Sequence, residues 1–117
     1  MILGLRTVIY PVGQELQRAK EFYAKWLGFG PYFDQPFYVG FNVGGYELGL
    51  IPDQDGGGTY WGVPSIAQAW EDLLAQGATA LSPPKNVGDG IWVAMACDPF
   101  GNRLGIIENP HFPPANE

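Results

Sequence analysis

One pattern occurs twice in this chain and leaves few folds open to it: a short β-rich run, an amphipathic helix closed by glycine, then about three short strands. In the first copy, Leu5 to Val12 is rich in Val, Ile and Tyr and ends near Pro11, where a strand leaves its ladder. Leu16, Ala19, Phe22, Tyr23 and Trp26 then recur at helical spacing, with Gln17, Arg18, Glu21 and Lys25 between them, and Gly28 stops the helix. The next stretch alternates: Phe37, Val39, Phe41 and Val43 form one row and Tyr38, Gly40 and Asn42 the other, and Gly44-Gly45 turns the chain into Tyr46 to Ile51. In the second copy Thr59 to Val63 reads as a strand, Ser65 and Gln68 as a capping box, and Ile66, Ala69, Trp70, Leu73 and Leu74 as one helical face before Gly77. Thr79 to Ser82, a break at Pro83-Pro84, Ile91 to Ala96, a turn over Asp98 to Asn102 and Leu104 to Glu108 complete it.

The expected fold class is therefore α+β, with two βαβββ modules in tandem, each a curved mixed sheet carrying one helix. Module 1 covers about 1–52, the glycine-rich segment 53–58 links it to module 2 at about 59–110, and 111–117 form a tail, all within a single domain. One helix covers one face of a small sheet. The other faces are expected to enclose a concave cavity, within one chain or across a homodimer.

The formal net charge of −6 and the absence of any Lys/Arg cluster argue against nucleic acid or an anionic membrane surface as partner. No apolar run approaches the roughly 18 residues of a membrane span, and the opening residues lack a signal-peptide layout, so a cytoplasmic location is expected. Cys97 is alone, which excludes an intrachain disulfide and a cysteine metal cluster, and it reads as a small buried apolar residue. The chain has no Gly-x-Ser-x-Gly elbow, P-loop or dinucleotide fingerprint. Binding, or simple proton transfer in a cavity, remains.

The tandem pattern, the segment EFYAKWLGF that closes the first helix and the segment DPFGNRLGIIE near the end together resemble the vicinal oxygen chelate superfamily, which includes glyoxalase I, extradiol dioxygenases and fosfomycin- and bleomycin-resistance proteins. The resemblance runs from Leu5 to Glu108. It implies a metal site, in those members that use one, built from the first and last strand of each half. The positions here are Thr7, Glu47, Gly58 and Gly105. Glycine offers no donor and threonine is a poor ligand, while a slip across the linker supplies only Thr59 or Tyr60; a stable site needs about three protein ligands. The expectation is a metal-free member with no cofactor.

By alternation Tyr38, Asn42, Tyr60 and Trp92 face inward, as the aromatic and polar wall of a small-molecule pocket or as a plain dimer core. Glu47 faces inward, as a general base or the partner of a cationic group, or as a solvated rim residue paired with Arg103. Trp26 and Trp61 are expected in the core, His111 in solvent, Asp98 in a structural turn, and Glu108 on the row away from the cavity. The function expected is sequestration of a small aromatic or cationic ligand by Thr7, Tyr38, Asn42, Glu47, Tyr60, Trp92 and Arg103 in a homodimeric protein. Two alternatives stand beside it: a glyoxalase-like lyase or isomerase with Glu47 as base, or a metal enzyme whose ligands lie elsewhere; and a non-catalytic dimerisation module.

Overall fold

The computed structural model describes residues 1–114. The elements run β1 (Gly4–Pro11), α1 (Leu16–Leu27), β2 (Phe33–Gln35), β3 (Tyr38–Val43), β4 (Tyr46–Ile51), β5 (Gly58–Gly62), α2 (Ile66–Ala75), β6 (Thr79–Gly88), β7 (Ile91–Cys97) and β8 (Arg103–Glu108). This is the α+β succession of two βαβββ modules. Two compact units result: Thr7–Gly57 joined by the segment from Phe112, and Gly58–His111 joined by Met1–Arg6. The first six residues thus pack with the second repeat, where Leu3 N–H donates to the Gly62 carbonyl at 2.8 Å.

In the first unit the strands lie in the order β2-β3-β4-β1, antiparallel except for the parallel pair β1/β4. Their alternation sends Val39, Phe41 and Leu50 to one face, where they are buried against Leu16, Ala19, Tyr23, Ala24 and Leu27 of α1. Gly28 ends α1 in the left-handed conformation (φ 89°) while its N–H donates to the Ala24 carbonyl, a stop that glycine adopts without steric cost. Gly44 and Gly45, both at positive φ, make the β3–β4 hairpin turn.

The second unit repeats the topology as β5-β8-β7-β6, with β5/β8 parallel. Val63, Ile66, Ala94 and Ile106 form its core, joined by Ala69, Trp70, Leu73 and Leu104. Ser65 caps α2 by accepting from the Gln68 N–H at 3.3 Å. The reciprocal half of the capping box is absent, because Gln68 turns its amide to Asp72 at 3.0 Å. Glu108 satisfies a different orphan donor: it accepts from the N–H of Ile66, the first helical residue, at 2.8 Å, which puts a carboxylate at the helix N-terminus. The Asp98 carboxylate accepts from the Asn102 N–H, the Asn102 side chain and the Phe100 N–H, bonds that hold its pKa below the usual carboxylate value.

Three expectations need correction. The Pro83-Pro84 pair does not break the chain: β6 runs through it as an edge strand, where a missing N–H costs no ladder bond, and the register shifts around it. Trp26 and Trp61 are not in the core. They are 75% and 38% exposed. Among the described residues no helix is long and apolar enough to cross a membrane.

Candidate functional site

The face of the first unit away from α1 carries a row across three strands. Thr7 pairs with Glu47 and Glu47 with Asn42. Thr7, 5% exposed, is the buried polar residue of this face. Its hydroxyl donates to Glu47 Oε1 at 3.1 Å, and the Tyr32 hydroxyl donates to Oε2. One carboxylate is thus held in a single orientation by two hydroxyl donors. About four acceptor directions belong to an ionised carboxylate, so roughly half remain for a further donor.

Two glycines make room for this arrangement. Gly40 and Gly49 face each other across β3 and β4. A Cβ at Gly40 would lie 2.8 Å from Glu47 Oε2 and 3.1 Å from the rings of Tyr32 and Tyr38, and one at Gly49 would lie 2.7 Å from Tyr38 Cζ. The Tyr38 ring therefore rests on backbone, with Phe33 tilted against it at 6.0 Å. Asn42 serves the scaffold: its oxygen accepts from the Gly45 N–H at 2.8 Å and its amide donates to the Pro114 carbonyl at 3.2 Å. Phe112 lies against Tyr46, which ties the end of the described chain to this hairpin.

Burial first, and then the hydrogen bond to Glu47 and its charge, push the Tyr32 phenol far above its ordinary value of 10.0. A raised folded-state value means the folded protein holds the proton more tightly than the unfolded chain. The resulting stability is fully present below pH about 10 and is lost as the pH climbs from there toward the folded-state value. Urea midpoints measured from about pH 8 to 11 should therefore fall at the alkaline end. A Tyr32→Phe variant should show a shallower fall, and an unchanged slope would exclude Tyr32 as its source.

In the second unit, the face away from α2 holds Tyr60, Arg103 and Gly105. Tyr60 pairs with Gly105 and lies over it, so that a Cβ there would be 2.6 Å from the ring. Met95 covers Gly58 in the same way, 3.0 Å from a Cβ built on it. Burial raises the Tyr60 phenol, and the Arg103 cation pulls it partly back. Trp92 does not join them. It stands opposite Glu108, on the row of Ala94 and Ala96 that faces α2, because alternation along β7 puts even-numbered residues there. The His111 Nε2–H donates to the Asp89 carbonyl, 2.8 Å away, as part of the tail.

The residues at Thr7, Glu47, Gly58 and Gly105 do not fit a metal ion. Thr7 is engaged with Glu47, and the two glycines lie beneath Met95 and Tyr60. Among the described residues no group of three or more His, Cys, Asp or Glu stands close enough to hold one. Tyr32 is the site residue that sequence reasoning missed. It precedes the three-residue strand β2 in a loop without periodicity, and only the fold brings it to Glu47.

No protein-family model matches the chain, and no curated protein matches it. Solved structures do. An NAD-dependent benzaldehyde dehydrogenase from Legionella pneumophila aligns at 22% identity over 86% of this chain and 96% of that one, with TM-score 0.70. A glyoxalase/bleomycin resistance protein/dioxygenase superfamily member from Vibrio splendidus 12B01 aligns at 16% identity over 90% and 99%, with TM-score 0.67. The Mn(II)-bound glyoxalase from Novosphingobium aromaticivorans aligns at 17% identity over 99% of this chain, which spans 42% of that chain, with TM-score 0.73. Names this diverse on one scaffold carry no activity across at such identities. What the tandem βαβββ topology and these alignments establish together is that the chain has the fold of the glyoxalase/bleomycin resistance protein/dioxygenase superfamily.

Proposed function

We propose that the chain is a metal-free small-molecule binding protein that takes an aromatic or cationic ligand on the face of its first unit away from α1, with Glu47 receiving the ligand's ammonium or N–H group. The observation that carries this reading is the carboxylate held by Thr7 and Tyr32 beside the ring of Tyr38. A fixed anion next to an aromatic surface suits a flat, cationic molecule and costs little reorganisation on binding. The net charge of −6 favours the same partner at longer range.

Isothermal titration against a panel of aryl amines and quaternary aryl ammonium compounds tests it. A member that binds the protein should bind Glu47→Gln about ten- to hundredfold more weakly, because a hydrogen bond to a charged group is worth about 1.5–3 kcal/mol. The idea fails if no member binds the folded protein, or if Glu47→Gln binds as well as the parent. The Tyr32–Glu47 contact also supports a second reading, a lyase or isomerase in which the pair moves a proton. Product formation by the parent that stops in Glu47→Gln would favour it over sequestration.

A further inference from the structure

Two surface features outside the Glu47 face match each other. The first is a ridge on α1. Phe22 and Trp26, four residues apart on one helical face, are 63% and 75% exposed, and both stand edge-on to Tyr23, which in turn contacts Tyr10. Four linked rings, two of them mostly in solvent, form an apolar patch of the kind that marks an interaction surface. Half of the chain's six cations, Arg18, Lys20 and Lys25, belong to α1. Arg18 is bonded to Glu15 and Lys20 to Asp34, and Lys25 stands in the last turn next to Trp26.

The second feature is a groove of about 410 Å³ in the other unit, within the size range of ligand pockets. Trp61, Leu73, Leu104 and Ile106 form its apolar wall and Gln68 and Asp72 of α2 its polar rim. No Lys or Arg lines it, and α2 carries Glu71 and Asp72 with no cation. Trp61 is exposed because this groove lies beside it.

We propose that the α1 ridge of one copy docks in the α2 groove of a second copy, with Trp26 against Trp61 and Lys25 meeting Asp72. The complementarity is of polarity and of charge: exposed aromatic rings edged with lysine on one unit, an apolar recess edged with carboxylate on the other. Each copy offers one ridge and one groove. A buried tryptophan at the centre of the contact would be its energetic anchor, and the charge pair would fix its orientation.

Multi-angle light scattering of the purified chain across micromolar concentrations should give a mass of two or more 12.8 kDa chains. Trp26→Ala should weaken association about thirtyfold or more. Lys25→Glu and Asp72→Lys should each weaken it about tenfold by setting like charges together, and the double variant should recover most of the loss because every contact regains an opposite pair. Glu47→Gln should associate as the parent does, which separates this surface from the ligand site. Should Trp26→Ala lose its fold by circular dichroism, Phe22→Ala at the other exposed ridge residue replaces it. A monomeric parent at about 100 µM, association indifferent to the ridge variants, or a double charge reversal no better than the single ones would each overturn the proposal.

Discussion

Phe41→Ala should cost about 3–5 kcal/mol, a large part of the roughly 5–15 kcal/mol that stabilises an ordinary domain. Phe41 is completely buried in β3, packs with Val39 and Leu50 under α1, and meets Phe29 edge-on at 6.5 Å. Truncation removes the transfer energy of the ring and leaves a cavity whose walls are held by a helix on one side and a ladder on the other. In a chain of this size the melting temperature should fall by about 10–20 °C. Phe37 supplies the control. It is 65% exposed, and Phe37→Ala should cost about 1 kcal/mol or less. Equal losses in the two variants would show that burial by α1 is not what makes Phe41 important.

The second large effect concerns Gly105. Glycine to alanine in a strand normally stabilises by about 0.4–1 kcal/mol, since the unfolded chain loses freedom. Gly105 should reverse that sign. The added methyl would lie 2.6 to 2.9 Å from three atoms of the Tyr60 ring, including Cγ at its root, so the ring must move as a whole. Overpacking of this kind costs about 1–3 kcal/mol, which exceeds the backbone gain. Urea denaturation of Gly105→Ala, Tyr60→Ala and the double variant closes a cycle. Removing the ring first should make the methyl harmless, with a coupling of about 0.5–3 kcal/mol. Additive effects would mean that the ring and the glycine do not depend on each other.

Most of the fold was legible because its signals are local. The three- and four-residue recurrence of Leu16, Ala19 and Tyr23, the stop at Gly28, the Gly44-Gly45 turn and the Asp98 turn each depend on neighbouring residues, and each appears where those residues require it. The errors share one cause, which is that periodicity tells which residues share a row but not what covers the row. Trp26 lies on the apolar stripe of α1, yet it is 75% exposed and touches Tyr23 edge-on instead of joining the core of Val39, Phe41 and Leu50. Trp92, expected on the row that faces the cavity, lies with Ala94 on the row toward α2. The Pro83-Pro84 pair looked like a break, and its tolerance depends on β6 having no neighbour on one side. Within the candidate site, Glu47 was readable from alternation and Thr7 from the family resemblance, while Tyr32 was not, since a loop side chain 15 residues away in sequence leaves no periodic trace.

The Tyr60 ring over Gly105 also constrains how this chain could change over generations. A side chain bearing an oxygen at residue 105 is sterically refused while tyrosine occupies residue 60, whereas a smaller residue at 60 is tolerated whatever stands at 105. Substitutions along any path toward a more polar second half are therefore ordered: residue 60 must shrink before residue 105 can grow. The same precedence links Tyr38 to Gly49 in the first half, where the ring again stands over a neighbouring strand's glycine. Relatives that carry a larger residue at 105 or at 49 should therefore carry a smaller one at 60 or at 38, while the reverse need not hold.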